Sequence, residues 1–243
     1  MDLRLTHGLA VLMLQGAVDL EQIVRAPKMR YVIGYLIAAL MLLPVGRHAP
    51  DPADASLRLY AVYIGGRYGV YLGHGLIITA AHVVGSAKRL SVRIATNLEL
   101  PAKVIKEGDF EQVDLSLLAL EQEKLPISLQ LRRMPLCQTP PWTGEPVIVA
   151  VPDSVASSTI MSPQLLPANL RTKFPTVISD VATTGDSGSG VFDEGRKCLL
   201  GIMSLKIFVR QNTPNGIAQQ KDIAKYFVPA ATIAAFIPNE HRY

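Results

Sequence analysis

The chain has 243 residues, 49% of them hydrophobic and only 18% charged, with a formal net charge of +4 and a pI near 9.1. That balance fits a globular chain of one large or two small domains plus one membrane-directed segment. Its positive charge is dispersed into pairs such as Lys88-Arg89, Arg132-Arg133 and Arg196-Lys197, with no basic run interleaved with aromatics, so a nucleic-acid partner is excluded.

Residues 1–28 carry no motif. Arg25, Lys28 and Arg30 then precede the apolar run Tyr31–Leu43, the profile of a secretory signal. Up to Val45 the uncharged run is about 15 residues, short of the roughly 20 that a bilayer span needs. Ala53-Asp54-Ala55 offers a small-x-small cleavage site before Ser56, and Met29 would start a well-proportioned signal peptide, which makes residues 1–28 an N-terminal extension. The distance from Val45 to Ala55 is long for a cleavage region, so an uncleaved anchor stays open, with the basic flank cytoplasmic and the rest facing outward. Residues 29–55 are therefore a signal peptide or a membrane anchor with a linker from Arg47 to Ala55. The expected location is exported, periplasmic or secreted, with membrane contact only if the apolar segment is retained.

From Arg58 onward, short apolar runs alternate with turn residues, the pattern of an all-β barrel protein. Leu59–Ile64 alternates and Gly65-Gly66 turns. Val70–Leu72 and Leu76–Thr79, joined by Gly73-His74-Gly75, read as a hairpin that delivers His82 at its end, with His74 facing solvent. Leu90–Ala95, Ala102–Ile105 and Leu115–Leu120 complete a first barrel over 56–120. The proline-rich stretch 121–143 reads as a crossover in which Trp142 packs. A second barrel over 144–243 starts at Pro146–Val151 and continues through Ser157–Leu166, Thr176–Ile178, Gly190–Phe192 and Leu199–Leu205. Asp193-Glu194-Gly195 is a hairpin turn, and the apolar stripe from Tyr226 to Ile237 reads as a closing helix ended by Pro238.

Three segments carry chemistry. A histidine, an aspartate and a serine occur in that chain order, in Thr79-Ala80-Ala81-His82, Asp114-Leu115-Ser116-Leu117-Leu118 and Gly185-Asp186-Ser187-Gly188. A serine hydroxyl needs a base to become nucleophilic at neutral pH, and imidazole titrates in the right range. A buried carboxylate must then hold the imidazole in one tautomer. These roles fall to Ser187, His82 and Asp114. Asp109 competes in the same segment, but it follows Gly108 in a turn, whereas the leucines after Asp114 anchor a strand. The N–H groups of Gly185 and Ser187 are the oxyanion-hole candidates, each such donor contributing about 3–4 kcal/mol in the transition state.

Taken together these segments resemble the signature motifs of trypsin/chymotrypsin-like serine proteases. Gly201-Ile202-Met203-Ser204 is similar to the family's substrate-binding strand, and Val228–Phe236 to its closing helix. The resemblance covers roughly Arg58 to Ile237 and implies two six-stranded antiparallel β-barrels, chymotrypsin-like, with a C-terminal helix, preceded by an N-terminal signal or anchor helix. It implies a serine endopeptidase acting through an acyl-enzyme on a protein or peptide substrate, with no cofactor and no metal. Ser189-Gly190 stands where many members carry Gly-Pro. No Ile-Val-Gly-Gly-like segment opens the domain, so the chain is closest in character to the bacterial exported branch, and Asp186 must find another partner. Family spacing places Val181 at the base of the primary pocket and Met203, Ser204, Leu205 and Lys206 along one wall. An apolar or small cleaved residue is expected, with an acidic one the alternative if Lys206 turns inward. Cys137 and Cys198 are either a disulfide, as export suggests, or two buried thiols. The rival reading of the whole is a catalytically silent relative that binds proteins in its cleft.

Overall fold

A computed structural model describes residues 52–94, 98–179, 187–212 and 218–241. All of these lie in the second of two units into which the chain divides, Pro50–Tyr243. The apolar run Tyr31–Leu43, with its choice between signal and anchor, falls outside the described residues. Among those residues no helix is long and apolar enough to cross a membrane.

The described strands close into two antiparallel barrels. The first contains β1 (Ala61–Ile64), β2 (Arg67–Gly73), β3 (Leu76–Thr79), β4 (Arg89–Ile94), β5 (Leu98–Glu107) and β6 (Ser116–Leu120), in the order β1-β2-β3-β6-β5-β4. The second contains β7 (Pro146–Val151), β8 (Ser154–Met161), β9 (Val177–Ile178), β10 (Gly190–Asp193), β11 (Leu199–Asn212) and β12 (Ala218–Pro229), and closes β10-β11-β12-β9-β8-β7. Read from the first strand of each barrel, the two orders are the same, a structural duplication with no legible sequence repeat. Closure matters physically because it leaves no unpaired strand edge.

Apolar runs become strands buried on both faces. In β3, Ile77 points into the first barrel with Val62, Tyr71 and Leu118. Its neighbour Ile78 points outward, into a cluster with Leu117, Ile148, Phe192 and Ile202 that joins the barrels. A strand with no wet face has no reason to alternate, which explains the continuous Leu-Ile-Ile. The interior of the second barrel is filled by Val147, Val149, Ile178, Val191, Met203 and Phe227. Cys137 and Cys198 form a disulfide with Cα atoms 5.1 Å apart. It lies beside a parallel bridge from Leu136 to Leu199 and ties the crossover to the root of β11.

Several expectations need correction. Ser56–Tyr60 is a 3-10 helix, so β1 starts at Ala61, not Leu59. The closing helix spans Ala230–Phe236; Tyr226–Pro229 belongs to β12, and extended Pro229 caps the helix. The greater part of β12 was not legible because its first half, Gln219-Gln220-Lys221-Asp222, has no apolar face. It is a strand because β11 pairs with it along its whole length. Trp142 is 59% exposed and does not pack in the crossover.

Candidate active site

Strand β3 ends at Thr79, Ala80 stays extended, and a four-residue helix, Ala81–Val84, begins at once. The abrupt turn brings His82 to the barrel rim, its side chain about a third exposed (32%). Asp114 precedes β6 and is 4% exposed. His82 Nδ1 lies 2.8 Å from Asp114 Oδ2, and the His82 backbone N–H donates to Asp114 Oδ1 at 3.1 Å. Asp109 is consumed by its own turn: its Oδ1 accepts from Glu111 N–H at 2.7 Å, and its carbonyl accepts from Gln112 and Val113.

The second barrel supplies the third partner of Asp114. Between Met203 and Leu205 the pairing of β11 with β12 shifts register, leaving Ser204 as the extra residue. A bulge of this kind re-aims a side chain. Ser204 Oγ–H donates to Asp114 Oδ2 at 2.5 Å. Burial alone would raise the Asp114 pKa, but hydrogen bonds from His82 and Ser204 favour the carboxylate and hold it below the ordinary value. Asp114 is therefore an anion held by neutral or titratable donors, the condition for orienting an imidazole.

Ser187 stands on a turn built by Gly188, whose φ is +88° and whose Cβ would lie 1.9 Å from the Tyr68 carbonyl oxygen. Only glycine fits there. Gly188 N–H donates to Met203 O at 2.8 Å, which docks the turn on β11. Ser187 Oγ–H donates to the Ser204 carbonyl at 3.2 Å. The hydroxyl thus reaches Asp114 and His82 through Ser204, and no hydrogen bond joins it directly to His82 among the described residues.

Phe110 meets the His82 ring edge-on at 5.5 Å between centroids. Phe110, Asp114, Ser204, Leu205, Tyr226 and Val228 line a cleft of about 660 Å³ between the barrels. Burial, then the charge of Asp114, pushes the Tyr226 phenol up. Of the expected pocket wall, Leu205 lines this cleft, Met203 is buried in the second barrel, and Lys206 is paired with Asp222 at 2.9 Å. Val181, Gly185 and Asp186 lie outside the described residues. The Ser204–Asp114 bond and the roles of Tyr226 and Phe110 in the cleft carry no local sequence signal. Among the described residues no group of His, Cys, Asp or Glu is placed to hold a metal ion.

Comparison with known families matches residues 67–202 to the trypsin-like peptidase domain. Among solved structures, the MamO protease domain from Magnetospirillum magneticum is 18% identical with a TM-score of 0.51, covering 75% of this chain and 98% of that one. Kallikrein-related peptidase 10, in a complex with Zn2+, is 18% identical with a TM-score of 0.55, covering 80% and 99%. The Rv3671c protease from M. tuberculosis, in its active form, is 17% identical with a TM-score of 0.51, covering 77% and 86%. At these identities the likeness is one of fold. No curated protein matches the sequence.

Proposed function

This chain belongs to the trypsin-like peptidase family, and on that premise we propose that it is an exported serine endopeptidase whose triad is His82, Asp114 and Ser187. The observation that carries the reading is the 2.8 Å contact of His82 Nδ1 with buried Asp114, with the Ser187 hydroxyl bonded to the carbonyl of Ser204, whose own hydroxyl holds Asp114. Asp114 keeps the Nδ1 proton in place, which leaves the Nε2 lone pair free to act as base. The reaction requires the Ser187 hydroxyl to leave the Ser204 carbonyl and turn toward His82, a change between staggered wells.

In the reaction, Ser187 Oγ attacks the scissile carbonyl carbon while its proton passes to His82 Nε2. The oxyanion is received by the N–H groups of Gly185 and Ser187. His82 then gives the proton to the departing amine, leaving an ester on Ser187. Water, deprotonated by His82, cleaves that ester and restores the hydroxyl. The lining of the cleft is mixed, with Phe110, Leu205, Tyr226 and Val228 beside Asp114, Lys173 and Thr232, and with the extended β11 beside it suits a peptide substrate.

One observation favours the silent-binder reading: the Ser187 hydroxyl donates to Ser204, not to His82. A fluorophosphonate probe separates the two. Labelling of the wild type that is lost in Ser187→Ala supports the enzyme; no labelling of well-folded protein supports the binder. Export is supported by the disulfide, which persists in oxidising compartments. N-terminal sequencing of the exported form tests it: a start at Ser56 indicates cleavage, whereas retention of Tyr31–Leu43 indicates an anchor.

A further inference from the structure

Ile127 and Leu131 are 72% and 73% exposed, the most open large apolar side chains among the described residues, and Leu59 is 47% exposed. Ile127 and Leu131 stand four apart on the one-turn helix Ile127–Gln130 and its cap, so they share its outer face while Leu129 is buried beneath. The segment Ser56–Tyr60, which carries Leu59, runs beside that turn. Arg132 Nη1–H donates to Leu59 O at 2.5 Å, and the Tyr60 hydroxyl donates to Arg133 O at 3.1 Å. An exposed leucine by itself needs no explanation, but apolar groups gathered on one face mark a surface that something covers.

Two cations stand on this face. The Arg132 guanidinium lies over the Tyr60 ring, 5.5 Å from its centroid. Arg133 donates to Arg132 O at 2.7 Å and to His74 Nδ1 at 3.1 Å. These contacts fix where the guanidinium groups point without cancelling their charge, and neither meets a carboxylate among the described residues. Glu121, earlier on the same segment, is taken by Lys124 at 2.7 Å, which leaves Glu123 against both arginines. Arg133 also lines a cavity of about 720 Å³ whose walls include Leu72, Met134, Leu136 and Ile237 and, among the described residues, no carboxylate. The place of the face in the chain matters as well. Leu59 lies near the start of the described residues, and only eight residues separate Leu43 from Pro52, a backbone reach of at most about 30 Å. Read as signal or as anchor, the run Tyr31–Leu43 delivers Ser56–Tyr60 at a membrane surface. Apolar side chains beside cations that no carboxylate neutralises are what an anionic lipid surface takes up, the first at the acyl boundary and the second against phosphates.

We propose that this face, Leu59, Ile127 and Leu131 with Arg132 and Arg133, is where the protein rests on an anionic lipid surface. The proposal goes beyond the endopeptidase reading and does not depend on the chemistry of Ser187. Seating of this kind confines the domain to the membrane surface whether the apolar run is cleaved or retained. A second copy of the chain fits the face less well, because a twofold contact through it would bring the arginines of the two copies together.

The test uses the full chain reconstituted in vesicles. Trp142→Phe removes the single native indole, and one reporter is put back, by Leu131→Trp on the face or by Phe208→Trp on β11 of the second barrel. Phosphatidylcholine brominated on its acyl chains quenches an indole that touches it. With phosphatidylglycerol also present, the Leu131→Trp indole is expected to be quenched and the Phe208→Trp indole spared. Arg132→Gln with Arg133→Gln should lower the equilibrium for seating about thirtyfold, the scale of two basic residues leaving an anionic surface, and so remove most of the quenching. Equal quenching of the two reporters overturns the proposal. So does quenching of Leu131→Trp that is indifferent to the arginines and to phosphatidylglycerol. Absence of quenching at Leu131→Trp, with a dimer in sedimentation, gives the face to a second copy and overturns it equally. Should the double glutamine variant not fold, vesicles with and without phosphatidylglycerol decide alone. Fluorophosphonate labelling reports on catalysis separately, so a labelled enzyme that does not seat on lipid loses only this proposal.

Discussion

Asp114 in the first barrel and Asp193 in the second are buried to a similar depth, 4% and 6% exposed, yet their partners differ in kind. Asp114 is held by an imidazole, a hydroxyl and one backbone N–H, and its hydroxyl partner comes from the opposite barrel. Asp193 is held by the guanidinium of Arg196 at 2.7 Å, which also reaches Glu145 at 2.6 Å. A guanidinium never gives up its proton, so Arg196 clamps Asp193 at the end of β10. An imidazole has a second ring nitrogen that can accept a proton, which the Asp114 cluster has and the Asp193 cluster lacks. Burial by itself distinguishes neither; the chemistry of the donor does.

The sharpest break between the two regions is expected from asparagine substitutions. Asp114→Asn should lower kcat by about 10⁴ through the wrong imidazole tautomer, with the thermal midpoint little changed. Kinetics on a peptide substrate together with a melting curve check this, and an equal loss in Asp193→Asn would erase the distinction. On the structural side the disulfide carries the largest stability effect. Replacing Cys137 and Cys198 by serine should cost about 4 kcal/mol in urea unfolding while leaving kcat within a few-fold. Asp193→Asn should cost about 1–3 kcal/mol, because hydrogen bonds from Arg196 to a buried acceptor are weakened, again without a comparable loss of kcat.

A pH series sharpens the contrast further. Burial would raise the Asp193 pKa, but the hydrogen bonds from Arg196 prevail and bring it down from 3.8 to about 2. A depressed carboxyl contributes stability in full above its unfolded value, and that contribution is lost as pH falls from about 4 toward about 2. Glu145 works with the opposite sign: burial, and then Asp193, push it up. Urea midpoints measured from pH 5 to 2 should fall in the wild type and fall less in Asp193→Asn. The smallest effect belongs to Ser116, whose buried hydroxyl finds no hydrogen-bond partner among the described residues. Ser116→Ala should change stability by about 0–1 kcal/mol, in the stabilising direction, read from the same urea titration.

Much of this architecture is visible in the residues themselves. The run Leu76–Thr79 before His82, the leucines after Asp114 and the glycine after Ser187 are local signals, set by periodicity and turn sterics over a few positions. The 61-residue separation of Cys137 and Cys198 allowed a bond without requiring one. Strand β12 escaped notice because its polar first half is ordered by β11 and not by a buried face of its own. Trp142 went the other way, an aromatic left at the surface by the course of the crossover.

By itself, the sequence determined which chemical groups are available, in what order, and which short segments become strands, because those depend on neighbours a few residues apart. Only the tertiary structure decided that Ser204, 90 residues from Asp114, completes its hydrogen bonds, and that the Ser187 hydroxyl meets the Ser204 carbonyl. Barrel closure and the register of β11 against β12 set those contacts, and register is a property of two strands at once, which neither strand encodes alone.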